Sequence, residues 1–372
     1  MKAAVISLGS VSSQWTLAEM RKLFDEVEEL NLKFIEIVLG ERQPTVLYQG
    51  KPISKYDCIY AKGSFRYNQL LRALTTSLCK DAYMPVKASA FTVGHDKLLT
   101  QLKLEYHRIP TPKTYLSATV DAAKKILEKI HYPIVMKFPE GTQGKGVMFA
   151  DSLSSANSLL DALVAMRQPF IIQEYIDTGG VDIRALVVGN KVVAAMKRKA
   201  IPGEKRANIH AGALGEGVVL DTKTQKLAVS TAKAVGCEIC GVDILEGVKG
   251  PMVIEVNLSP GLQGVTKATG INVAGKIAKF LFEQTRTIVD STNAVKAKDI
   301  VRDAGNNGEK GMSEIISNLD FRADRILLSE MVSKASKFSE EDEVTITASK
   351  GSIEIKKFSL EGLSDDNGKS TE

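Results

Sequence analysis

Asp243, Glu255 and Asn257 have the residue types and spacing for chemistry. They sit in GVDIL (241–245) and MVIEVN (252–257), two apolar runs flanking a turn with Gly247, Gly250 and Pro251. That pattern predicts an antiparallel hairpin. Side chains alternate along a strand, so Glu255 and Asn257 share a face. If the register brings Asp243 beside them, two carboxylates and an amide oxygen form one floor. Hard oxygen ligands of this kind suit Mg²⁺, which binds few carboxylates and leaves positions for substrate phosphates. The plainer alternative is a hairpin with a polar outer face.

Lys137 is the second notable residue, standing in an otherwise apolar strand, IVMKF (134–138). A buried-strand lysine is costly without an anion partner. The loop after it, residues 140–146, holds three glycines and Lys145, so backbone N–H groups can approach phosphate oxygens closely. Such a loop is weak evidence alone and stronger when coupled to Lys137. Asp182 and Arg184 share one face of a strand that enters a hairpin through Gly189-Asn190. Beyond it, a basic stretch contains Lys197, Arg198, Lys199, Lys205 and Arg206, then Asn208. A charge run is usually a solvated loop, but this one lies between two β-units of a phosphate-site candidate. None of the four histidines has metal-ligand spacing. The CEIC spacing at Cys237–Cys240 has no second CxxC or His pair, so it reads as two small apolar residues entering a buried strand.

The elements that must position these groups follow from periodicity. In residues 1–90, AAVISL, KFIEIVL and DCIYAK read as strands, and Thr16–Leu30 and Asn68–Cys79 as helices. This alternation predicts a small parallel sheet wrapped by helices, with Arg66 and Tyr67 in a loop past a strand end. A helix opens at His95-Asp96-Lys97 and runs to Tyr106, with Asp96 either its cap or a first-turn acid. Helices are expected over Asp121–Ile130, Ser154–Met166 and Thr222–Val235, and Ile271–Thr285 closes the unit. Residues 288–311 turn polar and read as a linker. A small module follows at 312–360, with helices around Ile315, Leu319, Ile326, Leu327, Met331 and Val332 and a hairpin from VTITAS and SIEIKKF. The tail, 361–372, is polar and reads as disordered.

Composition sets the outer bounds. The 372 residues are 44% hydrophobic and 25% charged, ordinary for a globular protein of two or three domains. No apolar run is long enough for a membrane helix, and the N-terminus lacks the h-region of a signal peptide. Four cysteines are too few for a disulfide scaffold, so a cytoplasmic location is expected. The net charge of +5 suits nucleotides and polycarboxylates and falls short of a nucleic-acid footprint.

Taken in order, HDK, VMKFPEGTQGKGV, IIQEYI, VDIRALVVG, KRAN, GVDIL and IEVNLSPGLQG resemble the ATP-grasp superfamily, and within it the RimK-type α-L-glutamate ligases. The resemblance covers residues 90–285, and residues 1–90 loosely as the pre-ATP-grasp domain. It implies an α/β ATP-grasp fold with domains at 1–90 and 91–287, including a lid at 120–172. It further implies ATP and two Mg²⁺ ions as cofactors, with Mn²⁺ a compatible substitute. Lys97 and Lys137 would hold the phosphates beneath the lid loop with Gly141, Gln143 and Gly144. Gln173, Glu174, Tyr175 and Ile176 would take the adenine, and Asp182 the ribose. Arg206 and Asn208 would face the transferring phosphate, with Arg184 nearby and Arg198 towards the acceptor. Asp243, Glu255 and Asn257 would be the metal ligands. The implied reaction phosphorylates an acceptor carboxylate and lets L-glutamate attack it, with a homo-oligomer expected and neither nucleic acid nor membrane as partner. The loop GSFRYNQ (63–69) departs from the bacterial pattern and leaves the acceptor open, a protein C-terminus or a coenzyme. Two alternatives remain: a ligase for another amine, and a regulator that holds nucleotide without turnover.

Overall fold

The computed structural model describes residues 1–40, 43–139, 146–200 and 214–305, together with the strands 320–322, 325–327, 344–349 and 352–357 and the helical residues Val332 and Ser336. Residues 1–297 form one compact unit and 298–372 a second.

The first unit opens with β1 (Lys2–Ser7), α1 (Val11–Met20) and β2 (Glu26–Asn31). Next come β3 (Ile35–Val38), β4 (Thr45–Tyr48), β5 (Lys51–Pro52) and β6 (Cys58–Ala61). The expected parallel sheet exists, in the order β2-β1-β6. Its membership differs from the sequence reading in two places. The helix expected over Thr16–Leu30 ends at Met20, and Val27 and Leu30 belong to β2, opposite Ala3 and Ile6. The helix also starts earlier, at a Ser10 cap whose side chain accepts from the Ser13 N–H. Its first turn, VSSQ, is too polar for hydrophobic periodicity to reveal. The strand predicted in KFIEIVL lies in a separate antiparallel sheet, β3-β4-β5, outside the parallel one.

Then follow α2 (Asn68–Leu78), α3 (Ala88–Val93) and α4 (Lys97–Tyr106), the last capped by the Asp96 carboxylate, which accepts from the Leu99 N–H as expected. A four-stranded sheet comes next. It comprises β7 (Thr114–Tyr115), β8 (Ile134–Lys137), β9 (Val147–Ala150) and β10 (Ile171–Glu174), in the order β7-β10-β8-β9. Its two helices are α5 (Val120–Leu127) and α6 (Leu153–Ala165). Leu127, Ile134, Met136, Leu160 and Ile172 fill a core of their own.

The sheet that carries the chemistry contains β11 (Val181–Val188), β12 (Lys191–Lys199), β13 (Leu214–Gly217), β14 (Ile239–Gly247) and β15 (Gly250–Asn257). The strands are antiparallel in the order β13-β12-β11-β14-β15. The helix α7 (Thr222–Val235) covers one face, burying Ala228, Ala232 and Val235. Its ends match the prediction because the signals are local: Asp221 accepts from the N–H groups of Lys223 and Thr224, and Gly236 closes the helix at φ +88°. The organising hairpin forms with a two-residue turn, Val248-Lys249, tighter than predicted. Pro251 lies in β15 rather than the turn, and an edge strand tolerates it because its missing N–H removes no internal ladder bond.

After the five-stranded sheet come α8 (Gln263–Thr269) and α9 (Val273–Gly305). The segment expected as a linker from 288 is therefore helical as far as Gly305. Its polar sequence, rich in Ala, Lys, Asp and Val, lacks an apolar stripe but retains residues that favour or tolerate a helix. In the second unit, β16 (Asp320–Arg322) pairs with β17 (Arg325–Leu327), and β18 (Val344–Ser349) with β19 (Ser352–Lys357). The predicted hairpin of VTITAS and SIEIKKF is present. Ile326 and Leu327, expected in a helix, are in a strand. Ile315, Leu319, Met331 and the tail 361–372 lie outside the described residues.

Candidate active site

Four strands place the central residues by register alone. Met196, Arg184, Asp243 and Glu255 are successive cross-strand partners through β12, β11, β14 and β15. The adjacent row holds Arg198 opposite Asp182. The register between β14 and β15 shifts after the Asp243–Glu255 pair, so Ile254 is an extra residue on β15. This bulge allows Ile254 and Glu255 both to line the cleft, where strict alternation would turn one away. Gly241 lies opposite Asn257, and a Cβ there would come within 3.1 Å of the Arg184 side chain. The bare glycine leaves Arg184 its path across the floor.

The floor is dense with charge. Arg184 binds Asp243 through two nitrogens, its Nη2 donating to Oδ2 at 2.6 Å. Arg198 donates to both Asp182 oxygens, at 2.6 and 2.7 Å, and lies 3.0 Å from Asp243 Oδ2. Burial would push the Asp243 carboxyl up, but the two guanidiniums outweigh it and hold it at about 2. Asp182 is pushed up to about 6, chiefly by burial and against the pull of Arg198. Burial, and then the Asp243 charge, raise Glu255 above the usual carboxylate range, while Lys97, Arg184 and Lys137 act against the rise.

Lys137 projects from β8, and its ammonium donates to Gln173 Oε1 at 2.5 Å. The same Gln173 donates to Thr114 Oγ1, which fixes its orientation. An amide therefore meets the buried-strand ammonium, and burial lowers Lys137 to about 8 despite the nearby Glu255. Lys97 is the first residue of α4, whose positive end adds to the cationic wall. Gly146 closes the glycine-rich loop at φ +76°, and a Cβ there would strike the Phe138 ring at 2.2 Å. Only glycine fits that position.

These groups line one cleft of about 770 Å³. It brings together Lys97, Lys137, Gln173, Glu174, Tyr175, Ile176, Asp182, Arg184, Arg198, Asp243, Glu255 and Asn257. Arg198, read from the sequence as facing the acceptor, is 6% exposed and committed to two aspartates. Arg66 is exposed and does not line the cleft, whereas Gly63, Ser64 and Phe65 of the same loop do. Gly141, Gln143, Gly144, Arg206 and Asn208 lie outside the described residues. The sequence reading missed the apolar wall of Val135, Val147, Phe149, Leu245 and Ile254, in which the Phe149 and Tyr175 rings meet edge-on at 6.0 Å. Each of these residues reads locally as ordinary core. It also missed Ser12, Ser13 and Lys62; a lysine closing a buried strand was the available signal for the last. Cys237 and Cys240 are buried free thiols, in keeping with a packing role.

The donor set can be tested for a metal. Among the described residues no three His, Cys, Asp or Glu side chains form a metal cluster. Asp243, Glu255 and the Asn257 amide nevertheless supply hard oxygen donors, and the buried Asn257 Nδ2 has no hydrogen-bond partner. The amide is therefore not spent on a structural bond through that atom. Two neighbouring carboxylates and an amide oxygen fit a hard divalent cation.

Solved structures share this fold, which is the ATP-grasp fold. The ATP-grasp ligase PsnB, complexed with minimal precursor, Mg and ADP, aligns with a TM-score of 0.61 at 17% identity, over 77% of this chain and 98% of that one. A RimK domain ATP-grasp protein from Sphaerobacter thermophilus DSM 20745 aligns at 0.58 and 17%, over 75% and 99%. The RimK-like ATP-grasp domain family matches residues 94–281. A probable alpha-L-glutamate ligase of Thioalkalivibrio sulfidiphilus is 34% identical over 291 residues, 77% of this chain and 97% of that protein. The chain belongs to the RimK-like ATP-grasp family and is an ATP-dependent, ADP-forming ligase. Among the described residues no helix is long and apolar enough to cross a membrane.

Proposed function

We propose that the protein joins L-glutamate to an acceptor carboxylate through an acyl phosphate. The observation that carries this reading is the row Arg184–Asp243–Glu255, with Asp243 buried and the other two half-buried, within electrostatic reach of Lys97 and Lys137. A carboxylate attacking a triphosphate is anion on anion, so the site must neutralise charge as it develops. Lys97 and Lys137 are the cations for the ATP phosphates, and the wall of Val135, Val147, Phe149 and Tyr175 suits a purine. Asp182 is assigned to the ribose end, where Arg198 orients its carboxylate. Asp243, Glu255 and Asn257 would hold two Mg²⁺ ions, which when bound supply charge neutralisation at the phosphates. Arg206, Asn208 and the glycine-rich loop keep their proposed roles at the transferring phosphate and over the nucleotide.

The acceptor carboxylate oxygen bonds to the γ-phosphorus as the bond to ADP breaks. The glutamate amine then attacks the acyl carbon, phosphate leaves, and the amine protons pass to phosphate and solvent. Arg184 bears on the first step by fixing Asp243 in its ionised, oriented form. Such chemistry requires no enzyme nucleophile.

The test is ADP release by the full-length chain with ATP, Mg²⁺ and each amino acid in turn, with mass spectrometry of every species. Cell extract serves as acceptor source where the purified protein alone is silent. Glutamate-dependent release with glutamyl additions is expected. Turnover with another amine and none with glutamate would overturn the glutamate assignment, and bound ATP without turnover under every condition would favour a regulator.

A further inference from the structure

Lys62 has no part in the chemistry above, yet it is among the most unusual residues of the cleft. It follows β6 at the C-terminal end of the parallel sheet, and its N–H donates to Ile6 of β1. The residue is 4% exposed. Among the described residues its ammonium has no hydrogen-bond or ion-pair partner. Its one charged-group contact is the face of the Tyr60 ring, whose centroid lies 5.6 Å away. Burial alone pulls its pKa down to about 8, with no neighbouring charge contributing. A buried ammonium with no anion beside it is costly and calls for a ligand that supplies one.

The surroundings are those of an anion site. Strand alternation puts Lys62 on the sheet face shared by Tyr60 and, across the β1–β6 pair, by Val5 and Ser7. That is the face covered by α1: Tyr60 and Val5 pack in one core with Leu17 and Met20. The N-terminus of α1 lines the same cleft as Lys62, through Ser10, Ser12 and Ser13. A ten-residue helix carries partial positive charge at this end. The helix end is also held firmly, since Ser12 donates to Gln263 and accepts from the Leu262 N–H. The position is the topological switch of the sheet, where β1 is flanked by β2 on one side and β6 on the other, the usual place for ligands.

The site is separate from the floor but opens into the same cleft. The charges acting on Glu255 are Asp243, Lys97, Arg184 and Lys137, and Lys62 is not one of them. A direct tie nevertheless links the two places: the Gly63 N–H donates to Ser259 Oγ at 2.9 Å, two residues beyond Asn257.

We propose that Lys62 and the first turn of α1 bind a non-reacting carboxylate or phosphate of the non-nucleotide substrate, while its reacting group lies over the Asp243–Glu255 floor. The inference rests on the ligase reading and adds that the substrate carries a second anion. Glutamate itself, a glutamyl-ended acceptor and a phosphate-bearing acceptor share this chemistry.

The test is calorimetric binding to the full-length chain saturated with Mg²⁺ and a non-hydrolysable ATP analogue, so that nucleotide phosphates occupy their own site. Three probes separate the sources: L-glutamate, N-acetyl-glutamyl-glutamate and inorganic phosphate. At least one should bind the wild type, and Lys62→Met should weaken that one about tenfold or more, the scale of a lost charge-assisted contact. Lys62→Arg should keep most of the affinity, and affinity for the ATP analogue should be unchanged throughout. Three silent probes, unaltered binding to a folded Lys62→Met, or weakened binding of the nucleotide would each overturn the proposal. Should Lys62→Met not fold, Lys62→Gln takes its place; failure of both to fold would mark Lys62 as a structural cation and overturn it as well. Because the readout is binding, turnover with an amine other than glutamate would refute the proposed function and leave this inference standing.

Discussion

Glu255→Gln separates a catalytic acid from a structural one, because it should make the protein more stable and nearly inactive together. Glu255 faces Asp243 across the β14–β15 pair, where Asp243 is buried and Glu255 half-buried. Like charges directly opposite on a sheet destabilise by about 0.2–1 kcal/mol, and burial of the ionised carboxylate adds to that. The amide keeps the shape and removes both costs. A gain of about 1 kcal/mol is expected at neutral pH, a rise in Tm of about 2–4 °C by thermal unfolding. The sign with pH follows from the raised Glu255 pKa. Between the usual value of 4.5 and its raised value, the folded protein binds more proton than the unfolded chain, so stability falls as pH rises through that window. The advantage of the variant should therefore be absent below pH 4.5 and grow to a plateau above the raised pKa. Turnover should fall about 10²–10³-fold in a coupled ADP assay, the usual cost of losing one preorganised electrostatic group. A variant with full turnover, or one that loses stability at neutral pH, would refute the assignment of Glu255 to the floor.

Arg198→Met should be among the most damaging substitutions, since it strips the bidentate partner from Asp182 and one of two guanidiniums from Asp243. Leaving buried carboxylates unpaired costs about 3–5 kcal/mol, readable as a shift in urea midpoint, and a loss below about 1 kcal/mol would show that water replaces the guanidinium. Lys137→Met should raise the Kd for ATP about 10–100-fold by calorimetry with little change in Tm, because among the described residues the ammonium is hydrogen-bonded only to the Gln173 amide. With Lys137 lowered to about 8, ATP binding should take up protons above neutrality, and wild-type affinity should decline as pH rises through 8. A proton uptake that persists in Lys137→Met would assign the effect to another group.

The features legible in the sequence were those fixed by neighbours along the chain. The hairpin of β14 and β15 followed from two apolar runs and a glycine turn, and the ends of α7 from Asp221 and Gly236. Alternation correctly put Asp182 with Arg184, and Glu255 with Asn257, on cleft-lining faces. The errors arose where one pattern serves two structures. Leu17, Met20, Phe24, Val27 and Leu30 keep helical spacing, yet the last two are in a strand, where pairing with β1 leaves Leu30 buried.

Residue type and local spacing were thus enough to name the hairpin, the strand lysine that lines the cleft and the order of motifs that marks the family. Tertiary structure alone decided which charges neutralise one another. The bulge at Ile254, the binding of Arg198 to two aspartates and the solitary burial of Lys62 depend on cross-strand register and on elements far apart in the chain. Local sequence determines which way a side chain points, but its partner and its distance from water exist only once distant strands have packed.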